Sequence, residues 1–166
     1  MKTALLLACA VLCARAEQTL PQHFTGGGMG FQAAATTNKL SGWSTYCLPV
    51  SKKLWGCAAT DFNAGTTSAR ADVDLLVFNY KNVCYVLGKS GAGAASNLTN
   101  LGGSFDFGGI LACEPSALFR RLAKDYLVVF SGSWQKNNVN ELFGPNFNLR
   151  SFGAQTVWRF GVGKTW

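Results

Sequence analysis

A mainly β domain, either an antiparallel sandwich or a small barrel carrying one short α-helix, is the fold class that this sequence predicts, and three observations predict it. Charged residues make up 14% of the 166 residues against 13% aromatics and 19 glycines, the balance of a compact, glycine-punctuated β protein and the opposite of a disordered one. Short runs rich in Val, Leu, Phe, Tyr and Trp are separated by Gly, Asn, Ser and Lys-Asn clusters, which is strand-and-turn patterning. One stretch only, residues 114–124, combines a helix start, an apolar stripe and a helix stop.

The opening residues are not part of that domain. Lys2 is followed by the apolar run Ala4–Cys13, far short of the roughly 20 residues that span a bilayer, and the run closes on Ala14-Arg15-Ala16. This is the pattern of a signal peptide over residues 1–16, with the mature chain starting at Glu17. Leu6-Leu7-Ala8-Cys9 also has the form of a bacterial lipoprotein box, with a short leader for that pathway. Loss of residues 1–16 removes Lys2 and Arg15 and no acid, so the formal charge falls from +7 to +5. It also removes Cys9 and Cys13. The four cysteines left, Cys47, Cys57, Cys84 and Cys113, are an even set in an exported chain and read as two disulfides. Three pairings are open; the favoured one joins Cys47 to Cys57 around a local loop and Cys84 to Cys113. A four-cysteine zinc site lacks any Cys-x-x-Cys pair.

Residues 17–38 read as a flexible Gly/Ala-rich arm, since Gly26-Gly27-Gly28-Met29-Gly30 loses much backbone entropy on ordering. The glycines are not a phosphate loop, because no strand precedes them and no Gly-Lys-Ser/Thr follows. Residues 39–166 form the single disulfide-bonded β-rich domain. Residues 40–50 and 54–58 predict two strands around Ser51-Lys52-Lys53. Alternation over 72–79 and the run Val83–Leu87 predict a hairpin turned by Tyr80-Lys81-Asn82. Small residues from Gly88 to Gly103 predict a long loop, which carries the sequon Asn97-Leu98-Thr99 and so a glycosylation site at Asn97. Ser104–Phe107 with Ile110–Ala112 predicts a strand broken by glycine. Glu114-Pro115 opens the helix and Leu118, Phe119 and Leu122 give its apolar stripe. Tyr126–Phe130 predicts a strand turned by Ser131-Gly132-Ser133. Asn137–Asn140 and Gly144–Asn146 are turn chemistry, and Trp158, Phe160 and Val162 share one face of a last strand.

Catalytic chemistry is sparse. The single histidine, His23, falls in the glycine-rich arm, which holds no imidazole against a nucleophile. Asp72 and Asp74 share a strand face about 6.6 Å apart along its axis, and with Asp61 and Asp106 they are candidates for the paired carboxylates of a secreted hydrolase. Strand aspartates more commonly face water. No calcium-loop, metal or cofactor motif is present, and the expectation is a non-enzyme. Lys52 and Lys53 beside Trp55 and Trp43 are the candidate binding residues, suited to an extracellular glycan, an anionic lipid headgroup or an acidic protein surface. The scattered cations and the exported compartment argue against nucleic acid.

Gly42-Trp43 near the first long strand resembles the Gly-x-Trp motif of the lipocalins, without its spacer residue and with the helix placed before the strand 126–130 instead of after the last strands. That resemblance implies a β-barrel carrier of a small apolar ligand, the alternative to a secreted recognition protein acting at an extracellular surface. A further reading is an outer-membrane β-barrel, suggested by Trp166 ending an alternating strand. Four cysteines and the lack of repeated ten-residue alternation weigh against it.

Overall fold

The computed structural model describes residues 20–33, 38–63, 65–96, 101–115, 125–138 and 154–166. The expected signal peptide, Asn97 and residues 116–124 of the expected helix lie outside them. Among the described residues there is no α-helix; Glu114 and Pro115 lie in irregular structure and a short 3₁₀ turn.

Eight antiparallel strands close into a barrel in sequence order: β1 Phe24–Ala33, β2 Asn38–Ser51, β3 Leu54–Asn63, β4 Thr66–Tyr80, β5 Cys84–Ser96, β6 Leu101–Cys113, β7 Tyr126–Asn138 and β8 Ala154–Thr165. The closing seam is β1 with β8, from Phe24 opposite Thr165 to Ala33 opposite Thr156. Barrel replaces sandwich because every strand finds its second partner in this ring, which leaves no edge. Both termini emerge at one end, here the terminal end, together with the turns after β2 and β4. The β2–β3 turn is Lys52-Lys53. In the β4–β5 turn Lys81 and Asn82 both have positive φ, 52° and 55°, and the Val83 N–H donates to the Tyr80 carbonyl at 2.9 Å, the mirror-image turn whose twist suits a hairpin. The bulge at Val77 shifts the β4–β5 register just before that turn.

Three expectations give way to strands. Residues 24–33 of the supposed arm are β1, hydrogen-bonded on both sides. Their glycines serve the packing of the lumen: Gly26 and its neighbour across the seam, Gly163, flank the Phe24 ring, and a Cβ at either would collide with it. Of the supposed loop 88–103, residues 88–96 belong to β5 and 101–103 to β6, and the two strands pair from Gly88 with Gly109 to Ser96 with Leu101. Ser131-Gly132-Ser133 is the middle of β7, with both serines inward. In each case glycine and serine signalled close approach inside a small barrel, where the sequence suggested flexibility.

Both disulfides join directly opposed residues on neighbouring strands, Cys47 with Cys57 (Cα–Cα 4.0 Å) and Cys84 with Cys113 (4.1 Å). The first pair faces the lumen and is buried.

Polarity is distributed unequally between the two faces of the wall. Outward positions carry Met29, Phe31, Tyr46, Leu48, Phe62, Val73, Leu75, Phe107, Phe130, Trp158, Phe160 and Val162, with Met29 65% and Phe107 68% exposed. The inward positions of the same strands hold Asp61, Arg70, Asp72, Asp74, Lys89, Asp106 and Arg159, all buried. Every exposed charged side chain among the described residues, Lys39, Lys52, Lys53, Lys81, Asp125 and Lys164, sits in a turn or at a strand end. The outer wall is thus largely apolar, while the charged side chains of the strand interiors are enclosed.

Candidate functional site

The lumen has two layers, and strand alternation builds both. Toward the terminal end the inward side chains are apolar: Phe24, Trp43, Cys47, Trp55, Cys57, Leu76, Leu87, Leu127 and Val129, with Leu20 packed beneath them. Phe24 and Trp55 stack at 5.5 Å between ring centroids. The segment before β1 is fastened under the barrel mouth: Leu20 N–H donates to the Lys52 carbonyl at 3.0 Å, and Trp55 Nε1–H donates to the Pro21 carbonyl at 3.0 Å. His23, assigned from sequence to the flexible arm, exchanges backbone hydrogen bonds with Trp166 and stacks near its ring. This layer closes the terminal end.

Beyond it lies the charged layer. Arg159 from β8 grips Asp61 of β3 with two bonds, Nε to Oδ1 at 2.7 Å and Nη2 to Oδ2 at 3.0 Å, the fork geometry that suits guanidinium to carboxylate. It also reaches Asp106 of β6 at 3.0 Å and donates to Ser133 Oγ of β7 at 2.7 Å. Arg70 of β4 contacts Asp61 at 2.5 Å, Asp106 at 3.2 Å and Asp72 at 3.4 Å, and donates to Ser68 Oγ at 2.8 Å. Lys89 of β5 joins Asp72 at 2.8 Å and Asp106 at 3.1 Å. Ionic contacts thus cross the barrel from β3 to β8. Each charge needs them, since burying an ion without a partner costs several kcal/mol. Gln135, fully buried, adds a contact to Ser68 at 3.4 Å. Asp74, on the same strand face as Asp72, stands at the junction of the layers.

A cavity at that junction, lined by Trp43, Trp55, Asp74, Lys89, Ser131 and Arg159 among others, has room for about two water molecules. It is far from the several hundred Å³ that a carried apolar ligand fills.

The structure separates the candidate binding residues. Lys52 and Lys53 are exposed in the β2–β3 turn. Trp55, 2% exposed, and Trp43, 7% exposed, point into the lumen, where Trp43 Nε1–H donates to the Phe160 carbonyl at 3.3 Å. Period two sends Trp55 inward, away from the lysines just before it in the chain. The four aspartates considered as hydrolytic pairs do converge, but Asp61, Asp72 and Asp106 are held by cations inside a filled barrel. Sequence reading missed Arg70, Lys89 and Arg159. Their signal was present in Arg70-x-Asp72-x-Asp74 interleaved with Ala71, Val73 and Leu75, opposite charges on one face of an apolar strand.

The chain matches no known family and no curated protein sequence. Among solved structures it is similar to Ail, the attachment invasion locus protein of Yersinia pestis, crystallised with the heparin analogue sucrose octasulfate. The TM-score is 0.43 at 9% identity, over 87% of this chain and 96% of that one.

Proposed function

We propose that this chain is an integral membrane β-barrel with a sealed lumen, acting as a non-enzymatic binding protein at the membrane surface. One observation carries the reading: an apolar, aromatic outer wall encloses a buried ionic network, the inverse of a soluble barrel and the arrangement that a bilayer stabilises. Strands of 10–15 residues meet or exceed the 9–11 or so needed to cross at a tilt. Closure removes every unpaired strand edge from the hydrocarbon region. A signal peptide, expected from residues 1–16, delivers such a chain to export and on to insertion.

The filled lumen argues against a diffusion pore, so interactions fall to the barrel ends. At the terminal end Lys52, Lys53, Lys81 and Lys164 surround a rim of Tyr80, Tyr126 and Trp166, all exposed. Cations with interfacial aromatics suit anionic lipid headgroups and, above them, polyanionic glycans. Of the partner chemistries expected from sequence, the anionic ones fit this rim.

The test is partition and conductance of the full chain. It is expected to stay with vesicles through alkaline carbonate extraction and, once folded in detergent, to change mobility on heating in SDS gels. It is expected to give no conductance steps in planar bilayers. A monodisperse, folded protein in buffer without detergent overturns the membrane reading, and stable ion conductance overturns the sealed lumen.

A further inference from the structure

The ionic network of the lumen leaves one carboxylate over. Asp61, Asp72 and Asp106 each contact at least one of Arg70, Lys89 and Arg159 within 3.4 Å. Asp74 is 4% exposed, and its Oδ1 has no hydrogen-bond partner. Lys89 is aligned with Asp74 across the β4–β5 ladder, but its ammonium group is engaged with Asp72 and Asp106. The other oxygen of Asp74, Oδ2, lies 3.3 Å from the Sγ of Cys57. A buried carboxylate that faces a disulfide has no electrostatic complement there, because a bridged sulfur carries no proton to donate and no charge.

Reduction changes the chemistry of the same atoms. A thiol or phosphine reductant supplies two electrons and the solvent two protons; the Cys47–Cys57 bond breaks and two thiols form. Loss of those two protons on metal binding leaves two thiolates beside a carboxylate, a donor set that selects borderline and soft divalent cations. The ligand atoms of Cys47, Cys57 and Asp74 already lie within 4.8 Å of one another. Thr45 Oγ1 is 3.6 Å from Cys47 Sγ, and the cavity lined by Asp74 has room for a water as a further ligand. We infer that Cys47, Cys57 and Asp74 form, in the reduced barrel, an internal site for one thiophilic divalent cation. Bridge and metal are then alternative fastenings of β2 to β3: the oxidised chain closes the pair covalently, and the reduced chain closes it through the ion.

The probe is Co²⁺, whose thiolate complexes absorb in the near ultraviolet and whose tetrahedral complexes absorb in the visible. The mature chain, residues 17–166, which lacks Cys9 and Cys13, is folded into detergent micelles from the denatured, phosphine-reduced state with Co²⁺ present, so that the ion need not pass through the closed layer. The expected result is one Co²⁺ per barrel with a thiolate charge-transfer band. That band persists in Cys84→Ser/Cys113→Ser and is lost in Cys47→Ser/Cys57→Ser. Asp74→Asn keeps the thiolates and is expected to weaken binding about 10-fold or more. Heat-modifiable mobility checks that each variant has folded. Absence of the band in folded wild-type barrel whose thiols are fully titratable overturns the inference, as does an unchanged band in Cys47→Ser/Cys57→Ser. Equal affinity in Asp74→Asn removes the carboxylate from the site.

Discussion

The two faces of the barrel wall obey one alternation and meet opposite surroundings. Along β4 the inward residues run Ser68, Arg70, Asp72, Asp74, Leu76, and the outward ones Ala69, Ala71, Val73, Leu75, Val77. Neither set alone determines which face meets solvent. What decides is closure. Eight strands make a lumen just wide enough for side chains to fill it, so the face turned inward must satisfy itself, whereas the face turned outward can be only as polar as its surroundings demand. The polar set has found partners across the lumen. The apolar set has found none among the described residues, and the proposed bilayer is what would cover it.

The largest expected effect comes from breaking the inner half of this comparison. Arg159→Met removes the cation shared by Asp61, Asp106 and Ser133 while keeping most of the side-chain volume. Two carboxylates then keep only Arg70 and Lys89, and the expected loss is about 3–5 kcal/mol of folding free energy, measured by urea unfolding from lipid vesicles. Replacing Arg159 together with Asp61 by apolar residues should recover part of that loss, since the penalty lies in the uncompensated charge. A loss no larger than that of an ordinary surface substitution would show that the network does not hold the barrel together.

The outer half is tested by depth. Phe160 stands mid-strand, between Met29 and Phe130 on the neighbouring strands, and is 59% exposed. Phe160→Arg is expected to cost about 2–4 kcal/mol in a bilayer, whereas Leu40→Arg, near the end of the barrel opposite the termini, is expected to cost about 0–1 kcal/mol. Equal costs at the two depths in vesicle-based unfolding would mean that no hydrocarbon slab surrounds the wall.

Strands β2, β3, β4 and β8, the hairpin turn at Lys81-Asn82 and the presence of two disulfides were legible in the sequence, because each rests on local signals: period two, turn residues, and an even set of cysteines; which of the three pairings forms is not such a signal. The barrel's sidedness was not. Val73 and Leu75 look alike whether they face a protein core or lipid, and Asp61 and Asp106 look alike whether they face water or the guanidinium of Arg159, drawn from a strand far along the chain. The run Leu127-Val128-Val129-Phe130 blurred the alternation further, because the apolar layer of the lumen makes both faces of β7 apolar near the terminal end. The glycines of β1 and β5 misled because what they accommodate, the Phe24 ring over Gly26 and the Asp72 carboxylate over Gly91, lies beside them only once the segments are extended and paired as strands.

The smallest expected effect separates Asp74 from the three aspartates it resembles in sequence. Asp61→Asn withdraws charge from two arginines and is expected to cost about 3 kcal/mol or more. Asp74→Asn withdraws it from none of the ion pairs described in the lumen, keeps the size of the group, and relieves a desolvated carboxylate whose Oδ1 has no partner. Its folding free energy with the Cys47–Cys57 bridge intact is therefore expected to stay within about 1 kcal/mol of wild type, or to rise. A loss approaching that of Asp61→Asn would place Asp74 inside the ionic network after all. A neutral result in the oxidised barrel, together with weakened Co²⁺ binding in the reduced one, would show that this carboxylate is dispensable for the fold and answers to the two cysteines beside it.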